Sequence, residues 1–111
     1  MIIIAGEINI PAEKRAAALD ATKHLQQAPR DEEPGCLAYV FSADPCRDDV
    51  IVVYERWEDA DSLAAHFLHP NYFEMRKALG EAGITGANAI KYRVDASAPV
   101  YNAEGIATAE F

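Results

Sequence analysis

The chain has 111 residues, of which 18 are acidic and 10 basic, giving a formal charge of −8 at pH 7. Its hydrophobic fraction of 50% excludes a disordered chain, and the acid excess counts against nucleic acid and anionic membranes as partners, since both recruit clustered Lys and Arg. A chain this short is one domain, able to bury roughly two-thirds of its unfolded surface.

The apolar stretches Met1–Ala5 and Val50–Tyr54 fall far short of the ~18 residues of a membrane span. No Lys or Arg precedes the first of them and Glu7 ends it, so no signal peptide is expected and the expected location is the cytoplasm.

In chain order, Ile2–Ile10 alternates as a strand, with Ile2, Ile4, Ile8 and Ile10 on one face. Pro11 suits a helix start, and Glu13 to Gln27 is rich in Ala and straight-chain residues, with Ala18, Ala21, Leu25 and Ala28 as its apolar stripe. Pro29 and Arg30–Gly35 are expected to end that helix. Cys36–Ser42 reads as a second strand, with Leu37, Tyr39 and Phe41 sharing a face, and the β-branched run Val50–Trp57 as a third. The loop containing Asp44, Pro45, Asp48 and Asp49 joins them as a hairpin.

Asp59 is the expected N-cap of a second helix carrying Leu63, His66 and Phe67. Pro70 makes that helix kink or restart, and Asn71–Leu79 continues it with Tyr72, Phe73, Arg76 and Leu79 in register. After Gly80, Gly83 and Gly86, Ala87–Val94 forms a fourth strand. The order β-α-β-β-α-β predicts an α+β, ferredoxin-like fold: a four-stranded antiparallel sheet with helices on one face. Residues 1–94 form this domain and 95–111 a C-terminal tail. Strands two and three are apolar on both faces while helices cover only one, which predicts a homodimer packed sheet to sheet, with the tail at its interface.

Cys36 and Cys46 flank the second strand, on the order of 20 Å apart, beyond the reach of a disulfide. Both are expected as free thiols, and nothing near either suggests a lowered pKa. His66 and His69 are three residues apart, but a catalytic zinc needs three protein ligands and no third is apparent, so no metal site is expected.

The segment Glu55-Arg56-Trp57-Glu58, followed by Leu63, His66 and Pro70, together with the turn Glu33-Pro34-Gly35-Cys36, resembles the antibiotic biosynthesis monooxygenases, proteins of the dimeric α+β barrel type. The resemblance spans about Met1 to Val94 and looks most like the small quinol monooxygenases. It implies an enzyme that oxidises a quinol-like or polycyclic phenolic substrate with O₂ and no cofactor, in a pocket between sheet and helices. In that setting His66 is the candidate base. Trp57, Tyr39, Tyr54, Asn9 and Arg76 are candidate substrate-binding residues: Trp57 to stack on a flat ring, the tyrosines to offer phenol groups, Asn9 to hydrogen-bond a carbonyl, Arg76 to meet an anionic oxygen.

Two branches of the family fit less well. By offset from Trp57, the positions where the haem-degrading members carry an inner Trp and a ligand His fall on His66 and near Arg76, and their strand-one Asn falls on Glu7. The Asn that anthrone-type members carry four residues before the strand-three Trp is Val53 here. The alternative to an enzyme is a non-catalytic dimeric barrel that binds a small hydrophobic molecule.

Overall fold

The computed structural model describes all residues from Met1 to Phe111. Its elements are β1 (Ile2–Asn9), α1 (Ala12–Glu32), β2 (Cys36–Ala43), β3 (Val50–Trp57), α2 (Ala60–Phe67), α3 (Pro70–Glu81) and β4 (Gly86–Arg93). The strands form one antiparallel sheet in the order β2-β3-β1-β4. This is the expected ferredoxin-like arrangement, with the second helix broken in two.

Alternation along the strands decides what is buried. Ile4, Ile8 and Ile10 from the first strand and its exit, Tyr39 and Phe41 from β2, and Ile51, Val53 and Trp57 from β3 face the helices. They pack with Ala18, Leu63, Met75 and Leu79 into one core. β1 approaches β4 so closely at Gly6 that a Cβ there would lie 2.2 Å from the Asn88 carbonyl oxygen, so only glycine fits.

Three expectations need correction. α1 does not end before Pro29 but runs through it to Glu32. The proline ring is buried, its carbonyl still accepts from the Glu33 N–H at 3.0 Å, and the lost bond is only the one its own nitrogen cannot make. The buried stripe of α1 is therefore Ala18, Thr22 and Pro29, with Ala21 exposed; the Thr22 hydroxyl donates to the Ala18 carbonyl at 2.8 Å, so its burial leaves no polar atom unpaired.

Leu37 does not share a face with Tyr39. The register steps from Cys36 opposite Trp57 to Ala38 opposite Arg56, a bulge that throws Leu37 out and turns Cys36 toward the core instead. On α3 the inward residues are Asn71, Met75 and Leu79, while Phe73 is exposed. The chain leaves helical geometry at His69, whose backbone is extended, and restarts at Pro70, so the phase of α2 is not carried over. His69 caps the new helix, its Nδ1 accepting from the Asn71 N–H at 3.0 Å.

The two edges of the sheet differ. Along β2, the Tyr39 carbonyl accepts from Arg30 Nε and Nη2 at 3.0 and 2.6 Å, and the Phe41 N–H donates to Gln26 Oε1 at 2.9 Å. Side chains of α1 thus occupy two of the outer backbone groups of that strand. β4 pairs with β1 on its inner side and has no such cover on its outer side.

The face of the sheet away from the helices is open. Ile3, Val40 and Val52 lie on it half-buried, and Tyr54, Ile90 and Tyr92 are 38%, 48% and 53% exposed. Arg56 is on the same face, and its Nε is sealed from solvent without a hydrogen-bond partner. Beyond Val94 the chain turns back in a small loop closed by a bridge between Tyr101 and Ala107, with Asn102 Oδ1 accepting from the N–H groups of Glu104 and Ile106. Val100, Tyr101, Ile106 and Phe111 are exposed there. The radius of gyration is 15.6 Å, against roughly 13 Å for a compact chain of this length, and residues 95–111 are almost all exposed.

Candidate active site

The site is built where α2 crosses the sheet. Asp59 caps α2 by accepting from the Ser62 N–H at 2.7 Å, which fixes the start of the helix and hence the direction of its inward face. Leu63 and His66 lie on that face, and His66 is 1% exposed. Its ring is enclosed by Trp57, Tyr39 and Tyr72, with centroids at 4.4, 5.5 and 5.6 Å.

His66 Nδ1 lies 2.9 and 3.2 Å from the two carboxylate oxygens of Glu33, a residue buried to 8% exposure at the end of α1. Asn71 Nδ2, from the first turn of α3, donates to the same carboxylate at 3.1 Å and to Glu32 at 2.9 Å. A carboxylate only accepts, so the Nδ1 proton belongs to the histidine and the lone pair sits on Nε2. Burial holds the imidazole below its ordinary pKa against the opposing pull of Glu33, so the ring is neutral at pH 7.

Beside His66 lies a cavity of about 330 Å³ between sheet and helices. Its walls are apolar, with Ile8, Phe41, Val53, Met75, Leu79 and Ile84 prominent, and Phe67 and Tyr72 also line it. The polar groups it contains are few: Tyr39, Glu55, His66, Tyr72 and Arg76. An apolar cleft with a few convergent polar groups is the usual form of a small-molecule site. A larger groove of about 590 Å³ runs between α1 and α3, but alanines and the ends of Lys14, Lys77, Glu74 and Glu81 line it, and it gathers no buried titratable side chain.

Glu55 faces inward from β3, opposite Tyr39 on β2 and Ile4 on β1. Its Oε1 accepts from Trp57 Nε1 at 3.0 Å. Burial raises its carboxyl to about pH 7, the indole bond only partly opposing the shift. Burial also pushes the Tyr39 phenol well above its usual range, helped by the nearby Glu55 and Glu33 carboxylates, so Tyr39 is a neutral donor. Cys36 is pushed up to about 11, chiefly by burial with Glu33 and Glu55 nearby; it and the exposed Cys46 are free thiols.

The candidate residues separate clearly. His66, Tyr39 and Arg76 line the cavity together. Trp57 is fully buried behind His66 and Glu55, where it positions both rather than forming a wall. Tyr54 projects from the opposite face of the sheet, and Asn9 is exposed at the far end of β1, its carbonyl accepting from the Thr85 N–H. His66 and His69 are committed to different partners, Glu33 and the Asn71 N–H, and no group of three or more His, Cys, Asp or Glu side chains converges on a point that could hold a metal ion.

Sequence reasoning missed Glu33 and Glu55. Glu33 reads as part of a turn, and only the path of α1 through Pro29 brings it under His66. Glu55 had a signal: it occupies the inward phase of a strand whose other inward residues are Ile51, Val53 and Trp57.

Comparison with known proteins agrees with this architecture. A protein of Synechocystis sp. without an assigned role is 29% identical over 73 residues, covering 66% of this chain and 49% of its own, so the chain spans about half the length of that curated relative. A crystal structure from Deinococcus radiodurans, named for the antibiotic biosynthesis monooxygenases, superposes with a TM-score of 0.80 at 24% identity over 92% of this chain and 100% of its own. A similarly named structure from Caulobacter crescentus gives 0.76 at 21% identity over 87% and 90%. At these identities the two structures speak for the fold. The family model described as antibiotic biosynthesis monooxygenase matches residues 1–78, from β1 into α3, and the chain belongs to that family.

Proposed function

We propose that this chain is a monooxygenase that oxidises a quinol-like or polycyclic phenolic compound with O₂, using its own side chains and no cofactor. The observation that carries the reading is His66, whose Nδ1 is held by the buried Glu33 carboxylate while its ring borders an apolar cavity sized for a flat aromatic. Nε2 has no protein partner, yet it is not among the sealed, unpaired polar atoms of the structure, so it opens to the cavity.

The roles follow from that geometry. A phenol has a pKa near ~10, and a neutral imidazole fixed in one tautomer takes its proton at Nε2 as the aromatic settles against Tyr39 and Phe41. Glu33 then faces an imidazolium, whose charge it stabilises. Electron-rich once deprotonated, the ring supplies O₂ with four electrons; one oxygen atom ends on the substrate and the other leaves as water. The neutral Tyr39 phenol is available to hydrogen-bond an oxyanion on the ring.

The working unit in this proposal is a homodimer. The open face presents Tyr54, Ile90 and Tyr92 to solvent, an apolar patch that calls for a second copy packed sheet to sheet. The tail at 95–111 carries its own exposed apolar side chains toward that partner. The test of function is oxygen uptake by metal-free protein with a panel of quinols and anthrones. Uptake above the buffer rate that disappears in His66→Gln supports the reading. No uptake across the panel overturns it in favour of a barrel that only binds a small hydrophobic molecule.

A further inference from the structure

The proposed reaction leaves Glu55 without a task. Its carboxyl group is buried, lines the cavity beside His66, and forms no ion pair, although Arg76 borders the same cavity and Lys91 a neighbouring one. The Trp57 indole occupies Oε1 and fixes the rotamer. Oε2 has no protein partner but is not sealed, and Glu55 borders both the cavity beside His66 and the neighbouring one lined by Lys91. Burial without a counter-ion favours the protonated form of a carboxyl, and a protonated carboxyl is a hydrogen-bond donor.

We propose that Glu55 is the specificity-determining residue of this cavity, donating a hydrogen bond from its free oxygen to an acceptor oxygen on the ligand. The site then selects flat aromatics that carry a carbonyl or second oxygen besides the hydroxyl facing His66. This deepens the proposed function and rests on it only for the identity of the cavity. Cys36 and Tyr39 from β2, Glu33 from the end of α1, His66 from α2, Tyr72 and Arg76 from α3, and Lys91 from β4 are the titratable and charged groups around Glu55. Among them the carboxyl of Glu55 rises to about 7, chiefly through burial, so the donor is present in mildly acidic solution and lost in mildly alkaline solution.

The probes are fluorenone, which carries one carbonyl, and fluorene, which carries none; neither needs O₂ or turnover. Equilibrium dialysis of the intact protein near pH 6 is expected to show fluorenone bound roughly tenfold more tightly than fluorene, the effect of one buried hydrogen bond. The preference should shrink toward unity by about pH 8.5 as Glu55 ionises. Glu55→Leu should abolish the preference at both pH values. Glu55→Gln, whose amide still donates, should keep it and make it independent of pH. Infrared difference spectra should show a protonated-carboxyl band in the unsubstituted protein that is missing from Glu55→Gln. Equal preference in Glu55→Leu, a preference in the unsubstituted protein that does not change between those pH values, or failure to bind either compound overturns the inference. Should Glu55→Leu not fold, the pH series on the unsubstituted protein and on Glu55→Gln decides it alone. Fluorenone preference without oxygen uptake on the quinol panel overturns the reaction and keeps Glu55; uptake without preference does the reverse.

Discussion

His66 Nδ1 and Glu33 Oε1 meet at 2.9 Å although 33 residues separate them in the chain. The pair joins the end of α1 to the face of α2, and Asn71 ties the start of α3 to the same carboxylate. Three helical segments therefore share one buried anion, which positions the base and holds the helices over the sheet.

The pair separates chemistry from folding. His66→Ala leaves Glu33 buried with only Asn71 as partner and is expected to cost about 3 kcal/mol of stability. His66→Gln keeps a donor for Glu33 and should stay folded while lowering turnover by roughly 10²–10⁴-fold. Glu33→Gln should lower turnover by roughly tenfold or more, because an amide no longer fixes the tautomer. Melting curves alongside oxygen-uptake rates check all three; full activity in His66→Gln would place the base elsewhere.

Glu55 gives stability a defined dependence on pH. Its carboxyl titrates near about 7 in the folded protein against 4.5 in the unfolded chain. Between those values the native state holds a proton that the unfolded state has lost, so this group's contribution falls as pH rises and levels off above about 7. The full difference is on the order of 3 kcal/mol. Glu55→Gln keeps an acceptor for the Trp57 indole and cannot ionise, so it should be more stable than the unsubstituted protein at pH 8 and about equal near pH 4. Denaturant melts at the two pH values read this directly.

His66 acts in the opposite sense. Burial lowers its folded pKa, so the unfolded chain takes up the proton first as the pH drops through the ordinary imidazole range near ~6.5. Its contribution is complete above that range and declines below it. Turnover should fall at acid pH at a value under ~6.5, and a pH–rate profile locates that limb.

Gly35 sets the separation between the Glu33 turn and α2. A Cβ on Gly35 would lie 2.1 Å from Ser62 Oγ and 2.2 Å from Ser62 Cβ, so Gly35→Ala must push α2 away. The expected cost is about 1–3 kcal/mol, with a loss of turnover beyond what the unfolded fraction explains, because His66 moves with the helix. Adding Ser62→Gly clears the clash and should recover both stability and rate.

The proposed dimer is tested by light scattering at micromolar concentration, where twice the chain mass is expected. Two protomers packed sheet to sheet should bury over ~2,000 Å² in total. Truncation after Val94 removes a tail that is almost all exposed, so it should weaken association while leaving the far-ultraviolet spectrum close to unchanged. A monomer mass for the intact chain would sink the dimer.

What the sequence disclosed follows from the range of each interaction. Period-two alternation made the inward isoleucines of β1 legible, and Asp59 ahead of an apolar run marked the start of α2. Both are local. Pro29 misled because helix propensity counts the lost hydrogen bond and takes no account of a ring buried against the body or of Arg30 fastened to the Tyr39 carbonyl. The one-residue bulge at Leu37 has no mark in the pattern Cys36-Leu37-Ala38-Tyr39. At the site, His66 was visible from its phase on α2, whereas Tyr54 and Tyr39 look alike in composition and differ only in which face of the sheet they occupy. Glu33 could be found only by knowing where α1 ends.

The unequal edges of the sheet limit how the molecule can grow. Arg30 and Gln26 occupy the Tyr39 carbonyl and the Phe41 N–H on the outer side of β2, so an incoming strand would have to displace both, while no side chain bonds the outer side of β4. Copies joining front edge to back edge would form an endless ribbon, and that mode is opposed because one of the two edges is obstructed at its centre. The unobstructed edge pairing is between two β4 strands related by a two-fold axis, and after it each molecule has only the obstructed β2 edge to offer. Two side chains on one helix thus disfavour fibre growth, at no cost to the face that a partner is proposed to cover.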